Sequence, residues 1–355
     1  MKKKLALIPL LSFVTLVSVS CEKNQQNKEE KYTISYGSMF DEEMIDINTY
    51  AELETKVTID EETFLVAFHY GSDPACGCWM NFKNQINKFI KSSHVRVYKF
   101  DSFKLKDNNE YGFIPLEKDE PSLYLVSGGK IIKKYQYGDK KLEKFFSDME
   151  VIKKELNNVI NYPNYYYVNE AYLDEKLIQN PVEKAAVFFM RSKCPDCSYC
   201  LPNFMLPYGE KNQLNVKVWL MDLQEVYETE KETTYVQIKN KYGLTEEANA
   251  TYGYGNGVVP TTQYYENGVL KDASVYFNDT VEKVNDKYVI TNSYYSNDRR
   301  ENLHYLSNLN LAMLKGMEIA EKDLVIDENY IMWNQNSASI YHNQILTAFY
   351  DYYLK

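Results

Sequence analysis

Apolar residues in this chain gather in short runs bounded by glycine, proline and polar clusters, and one succession of runs occurs twice. Thr63 to Tyr70 predicts a buried strand, followed by the cluster Gly71-Ser72-Asp73-Pro74-Ala75-Cys76-Gly77-Cys78. The amphipathic segment from Trp79 to Ile90 predicts a helix, and His94 to Phe100 a second strand. Pro121 to Val126 then leads through Ser127-Gly128-Gly129-Lys130, a two-residue hairpin signal, into Ile131 to Tyr137. Helical spacing from Lys140 to Val159 closes the unit. The second unit keeps this order: a strand over Ala185 to Met190, the cluster Lys193-Cys194-Pro195-Asp196-Cys197-Ser198-Tyr199-Cys200, a helix, and a strand from Val216 to Leu223. A helical insert near Thr233 to Tyr242 precedes Val258 to Tyr265, which runs into the hairpin signal Asn267-Gly268. Intervals agree as well: Pro121 to Gly129 and Pro260 to Gly268 are both eight residues, and Val66 to Cys76 matches Val187 to Cys197. In that register Asp73 lies over Cys194, so the first copy carries aspartate where the second has its leading thiol.

Beyond Ser274–Tyr276 the pattern is lost. A hairpin around Asn285-Asp286 and two helical runs, Asn302 to Ile319 and Ile340 to Leu354, are expected, with residues 291–355 forming a helical extension packed on the second domain. At the other end, Met1-Lys2-Lys3-Lys4 precedes an uncharged apolar stretch from Leu5 to Val19, too short to span a bilayer comfortably, and Ser20 precedes Cys21. This resembles a bacterial lipoprotein signal, in which the cysteine after the cut becomes the lipid-bearing N-terminus. The departure is Ser18, where that family usually has leucine; simple secretion or an uncleaved anchor are the alternatives. The expected organisation is therefore a signal peptide over 1–20, a polar tether over 21–45, a first domain over 46–160, a second over 161–290, and the extension.

Charge narrows the partners. The chain has a formal charge of −10, and removal of residues 1–20 leaves 37 basic against 50 acidic residues, a charge of −13. Such a protein has no electrostatic case for nucleic acid or an anionic membrane face. Tyrosine reaches 33 residues, which an AT-rich genome explains as well as any ligand would. Trp79, Trp219, Trp333, His69 and His94 sit in apolar patterns and read as core.

Three of the six cysteines fall within Cys194–Cys200. Two thiols separated by two residues, where a strand turns into a helix, form the working unit of thiol–disulfide exchange. The helix N-terminus lowers the pKa of the first thiol, and the second is close enough to bridge it. Lys193 and Arg191 should lower Cys194 further, and Asp196 should oppose them. A structural disulfide would also explain Cys194 and Cys197. A zinc site would need two further ligands, and the four histidines are not clustered; Cys-x2-Cys-x2-Cys has no fourth cysteine after it for an iron–sulfur site. No metal is therefore expected. Cys200, one turn on, is either a buried small side chain or a third exchanging thiol. Cys76 and Cys78 are possible auxiliary thiols: residues two apart on a helix face different sides, so a bond between them needs a non-helical turn, and strained pairs of that kind are oxidising.

Taken together, these features resemble the thioredoxin fold present twice: α/β, each copy a mixed central sheet flanked by helices. In the second copy Cys194 and Cys197 match the family's CxxC motif, and Pro260 with its neighbours Val259 and Thr261 matches the cis-proline segment that contacts substrate. Pro202 falls where many thioredoxins carry a helix-kinking proline. Two departures stand out. The family often has a buried aspartate six residues before the first cysteine, where this chain has Phe188, and the stretch from Cys197 to Pro260 is longer than in minimal thioredoxins. The resemblance implies Cys194 as nucleophile and Cys197 as resolving thiol. The first copy, lacking the motif, is then a degenerate binding or spacer domain.

The expectation is a membrane-anchored, extracytoplasmic thiol–disulfide oxidoreductase, lipidated at Cys21, acting on cysteine-containing exported proteins and reset by a redox partner. It needs no cofactor beyond its cysteine pair. The competing expectation is a redox-inactive lipoprotein scaffold with a structural disulfide.

Overall fold

Residues 31–59, 62–71, 77–105, 121–244, 259–295, 302–307, 309 and 314–355 are described by the structure, a computed structural model. The stretch expected to end a polar tether is instead ordered into three short strands, β1 (Tyr32–Thr33), β2 (Tyr36–Ser38) and β3 (Ile45–Ile47). The reason is its few apolar residues: Ile34, Tyr36, Met44 and Ile47 are all buried. A flexible tether can therefore extend only over residues before this seam.

Helix α1 (Tyr50–Glu54) opens the first unit, capped by Thr49, whose Oγ1 accepts from the Glu52 N–H. Strand β4 (Thr63–His69), helix α2 (Gly77–Ser93), β5 (Val97–Asp101), β6 (Ser122–Ser127), β7 (Lys130–Gln136) and helix α3 (Met149–Asn157) follow. The sheet order is β3-β5-β4-β6-β7, with β3, β5 and β4 parallel, β6 antiparallel to β4, and β7 antiparallel to β6. Strand β4 reads as a continuous apolar run because both faces are covered. Phe64, Val66 and Phe68 share a core with Leu53 of α1, whereas Leu65 and Ala67 meet Phe82, Ile86 and Phe89 of α2 and Ile152 and Leu156 of α3.

The second unit repeats this plan. Strand β8 (Ile160–Asn161) pairs with β1, and β9 (Tyr165–Tyr167), helix α4 (Glu170–Leu173), β10 (Lys184–Met190), helices α5 (Pro195–Cys200) and α6 (Leu206–Lys211), and β11 (Val218–Asp222) follow. Helix α8 (Val236–Lys241) forms the expected insert, preceded by a further helix α7 (Gln224–Thr229), ahead of β12 (Thr261–Glu266) and β13 (Val269–Val275). The order is β13-β12-β10-β11-β9-β2, the first sheet's topology with β2 added in parallel at its edge. Both sheets thus have the thioredoxin-like arrangement. Both hairpins turn through left-handed residues, Gly128-Gly129 and Asn267-Gly268.

The C-terminal stretch departs from expectation. Strands β14 (Asp279–Val284) and β15 (Lys287–Ser293) form the predicted hairpin about Asn285-Asp286. The helix expected over 302–319 is absent among the described residues; they hold a single turn at His304–Leu306 and β16 (Glu318–Ile319), which pairs with β15. Tertiary anchors override the local pattern: Tyr305 Oη donates to the Ala273 carbonyl (2.7 Å), and the His304 N–H to buried Asp272 (3.1 Å). After the hairpin β17 (Leu324–Ile326)–β18 (Ile331–Trp333), a helix runs over Gln335–Tyr353. It begins earlier than its apolar spacing suggests because Asn334 caps it, accepting from the Asn336 N–H at 2.9 Å. Tyr350 of this helix packs edge-on against Phe204 and Tyr208, so it covers α6 much as α3 covers α2. What reads as an extension supplies the closing helix of the second fold. Among the described residues no helix is long and apolar enough to cross a membrane.

Gly37 is where β2 passes between the sheets: a Cβ there would lie 2.4 Å from Tyr166 Cδ1 and 2.5 Å from the His94 carbonyl oxygen. The Ser38 N–H bonds that same carbonyl at 2.9 Å. Gly37→Ala must therefore push β2 off its neighbours. Urea denaturation should show a loss of about 1–3 kcal/mol, whereas Ala at Gly77, which has open space around it, should cost far less.

Candidate active site at the Cys194 turn

Strand β10 is buried along Ala185–Met190, and the chain must leave the sheet where the apolar run stops. Asp222 at the end of β11 captures the departing loop: its Oδ1 accepts from the Ser192 N–H (3.1 Å) and the Gln224 N–H (2.9 Å). Gln224 Oε1 in turn accepts from the Lys193 N–H at 3.1 Å. Cys194 then caps α5 with extended backbone, φ −74° and ψ 127°, and Pro195 takes the first helical position, where a missing N–H costs nothing. The Ser198 N–H bonds the Cys194 carbonyl (2.9 Å), closing the first turn.

Pro202 and Pro207 each remove a donor from the helix continuing from α5. The backbone widens over Leu201–Met205 into a π-type turn, in which the Leu206 N–H reaches back to the Leu201 carbonyl before α6 resumes. The proline kink anticipated from sequence is accommodated by this widening.

Cys194 is 7% exposed, whereas Cys197 and Cys200 are fully buried, and all three are free thiols. The Cys194 thiol is held down at about 5, first by the hydrogen bond from the Cys197 thiol, then by the backbone N–H groups of Cys197 and Asp196, with Arg191 adding its charge. Cys197 is pushed up by donating that bond and by burial. Its sulfur accepts from the Arg191 N–H at 3.4 Å. Lys193, expected to help, turns instead to Glu228 at 2.8 Å and is largely exposed. Arg191 lies with its guanidinium carbon 3.9 Å from the Tyr227 ring centroid, which keeps the charge beside the turn. Asp196 is raised, chiefly by burial and further by the Cys194 charge, although Gln335 Nε2 donates to its Oδ1 at 2.7 Å.

The Val259–Pro260 bond is cis, and the Val259 carbonyl lies 3.9 Å from Cys194 Sγ. Val259 and Pro260 are thus brought to the leading thiol. Phe188, in the position where thioredoxins often have an acid, is buried between Leu220 and Thr262 in the sheet register. Burial raises the Cys200 thiol well above its ordinary value, and Tyr165, Tyr276 and Tyr350 lie within its electrostatic reach. It belongs to the core.

Sequence reasoning missed two groups of residues. Asp222 had a signal: the repeat register that aligns Val66 with Val187 sets Asp101 over Asp222, and the sheets place them opposite His69 and Met190. Asp101 Oδ1 likewise accepts from the loop after its strand, from the Gly71 N–H at 2.9 Å. Gln335 and Asn336 had none, being remote in sequence; Asn336 Oδ1 accepts from Tyr199 Oη at 2.8 Å.

In the first unit, Cys78 in the first turn of α2 is disulfide-bonded. Asp73, Cys76 and Cys21 lie outside the described residues. His69 stacks on Trp79 at 4.4 Å and contacts the Gly71 carbonyl through Nδ1 (3.1 Å), as expected of packing residues. Trp219 is buried edge-on to Tyr172. Among the described residues no group of three or more His, Cys, Asp or Glu is placed to hold a metal ion.

The Cys194 pKa has a direct reading in rate. Alkylation of the reduced protein at Cys194, followed by mass spectrometry, should rise about tenfold per pH unit below about 5 and level off above it, because only the thiolate reacts. Cys197→Ala removes the side chain whose hydrogen bond is the largest stabilisation, so the midpoint should move to higher pH. An unchanged midpoint would assign the shift to the backbone donors and Arg191 alone.

No protein-family model matches the sequence, and no curated protein matches it. Solved structures similar to it include a mutant thioredoxin from Halobacterium salinarum NRC-1, at 16% identity over 35% of this chain and 95% of that one, TM-score 0.24. The bb fragment of ERp72 is similar over 67% of this chain and 90% of its own, at 9% identity and TM-score 0.30. Full-length ERdj5 is similar over 63% of this chain at 13% identity and TM-score 0.25, but the chain spans only 28% of its length. These likenesses concern the fold and reach no further.

Proposed function

We propose that this chain is a thiol–disulfide oxidoreductase whose working pair is Cys194 and Cys197, anchored outside the cytoplasm by lipid on Cys21 and acting on cysteines of exported proteins. The observation that carries the reading is geometric: Cys194, the less buried thiol, caps the N-terminus of α5 within 3.9 Å of the Val259 carbonyl, and Cys197 lies fully buried one turn behind it.

In the reducing direction, the Cys194 thiolate attacks one sulfur of a substrate disulfide; a mixed disulfide forms and the second substrate sulfur leaves as thiolate. Cys197 then gives up its proton and attacks Cys194, so the Cys194–Cys197 bond forms and the first substrate sulfur departs. Two electrons reach the substrate and the pair is oxidised. Reversal oxidises a dithiol substrate. Stabilising the Cys194 thiolate stabilises the reduced pair, which favours the disulfide-donating direction. The electrons reside on the two sulfurs, so no dissociable cofactor is required. A redox partner of the same chemistry must reset the pair. The first unit, with its Cys78 thiol already in a disulfide, is assigned a binding or spacer role.

Equilibration with glutathione buffers should place the Cys194–Cys197 couple between about −120 and −230 mV. The oxidised protein should also accelerate reoxidation of a reduced, unfolded substrate at least about tenfold over Cys194→Ser, each decade of rate being ~1.4 kcal/mol of barrier. A potential below about −300 mV, with equal rates for the two proteins, would replace this reading with that of a scaffold holding a structural disulfide.

A further inference from the structure

Behind the cysteine turn lies a pocket of about 60 Å³ lined by Asp196, Phe277, Asp279, Met332, Trp333 and Gln335, together with Ala338. Four elements meet there: α5, the start of β14, the end of β18 and the first turn of the C-terminal helix. Two of the lining side chains are carboxylates, and no lysine or arginine among the described residues lines it.

Asp279 is the informative residue. Its side chain is 4% exposed, and Oδ2 lies 2.6 Å from Nε2 of His342, itself 1% exposed. Oδ1 is buried with no hydrogen-bond partner. The His342 Nδ1 is likewise without one. Asp279 therefore lines the pocket and carries one buried carboxylate oxygen that no protein donor answers. Leaving such an oxygen dry is unfavourable unless something entering the pocket supplies the donor.

The surroundings specify the donor. Asp196 adds a second acidic group, held in place by Gln335. Phe277 and Trp333 present aromatic rings, which attract cations. Met332 stands at the rim, 48% exposed. The volume accommodates the end of a side chain and not a cofactor. Asp196 is two residues from Cys194, and the first two residues beside a cysteine in an extended peptide reach ~7 Å.

We infer that this pocket receives the ammonium or guanidinium end of a basic residue flanking the substrate cysteine, its N–H groups bonding the Asp279 carboxylate while the reacting sulfur sits at Cys194. It rests on the oxidoreductase reading above and adds substrate selectivity to it. The C-terminal segment, which contributes Trp333 and Gln335, is then part of the substrate site.

The test uses the full chain without its signal segment and fluorescent disulfide peptides. These peptides differ only in carrying lysine, glutamine or glutamate at each of the two positions on either side of the cysteine. Lysine at one position should exchange about fivefold or more faster than glutamine, and glutamate slower still. Asp279→Asn, checked for native near-ultraviolet circular dichroism, should bring the lysine-to-glutamine ratio below about two. Measurable exchange with equal lysine and glutamine rates at every position overturns the inference and leaves the oxidoreductase reading standing. The wild-type ratio alone decides this if the variant fails to fold. If no peptide exchanges at all, the oxidoreductase reading fails instead. Equilibrium binding of the same peptides with serine in place of cysteine then decides the pocket: tighter binding of the lysine peptide sustains it, and equal binding overturns it.

Discussion

A sulfur anion can persist at Cys194 because the Cys197 thiol and the backbone N–H groups of Asp196 and Cys197 all donate to it. Those donors exist in that arrangement only because Cys194 occupies the capping position of α5, with its first turn free of intrahelical acceptors. Moving the helix start by one residue would put Cys194 inside the turn and remove the donors. The position is set from the sheet side: β10 ends with its last residue opposite Asp222, and that carboxylate collects the loop N–H groups before the helix begins.

The first unit shows how much of this scaffold is independent of the chemistry. Asp101 stands opposite the end of β4 as Asp222 stands opposite the end of β10, and each binds the loop after the neighbouring strand. An acid holding the strand-to-helix loop is therefore a feature of the fold in this chain. The thiols are the part that differs. In the first unit the loop leads to a disulfide-bonded Cys78 and a His69–Trp79 stack, and in the second to three free thiols graded in burial.

Tertiary structure also changes the status of the C-terminal residues. The closing helix has been separated from its sheet by the hairpin β14–β15 and the segments after it, and these segments form a wall beside the motif. Gln335 holds Asp196, Asn336 holds Tyr199, and Asp279 with His342 forms a buried pair at the back of the same pocket. The aromatic residues follow the same logic. Tyr295 and Tyr305 are fully buried, yet each hydroxyl reaches a β13 carbonyl, so the tyrosine-rich composition is used to pin the appended segments to the sheet.

The strands, the hairpins at Gly128-Gly129 and Asn267-Gly268, the repeat and the cysteine turn were all legible along the chain. Continuous apolar runs, left-handed turn residues and a proline after a helix-capping cysteine act through neighbours within a few residues. What stayed hidden depends on contacts between distant residues. Ile34 and Tyr36 look like part of a polar tether until two sheets are present to bury them. Residues 302–319 carry helical spacing, but Tyr305 and His304 are captured by β13. The unpartnered oxygen of Asp279 could not be read from sequence, because whether a carboxylate is satisfied depends on which groups folding brings around it. Sequence alone determined where thiol chemistry could reside and which thiol leads; the tertiary structure decided what surrounds the pair, because those side chains come from distant parts of the chain.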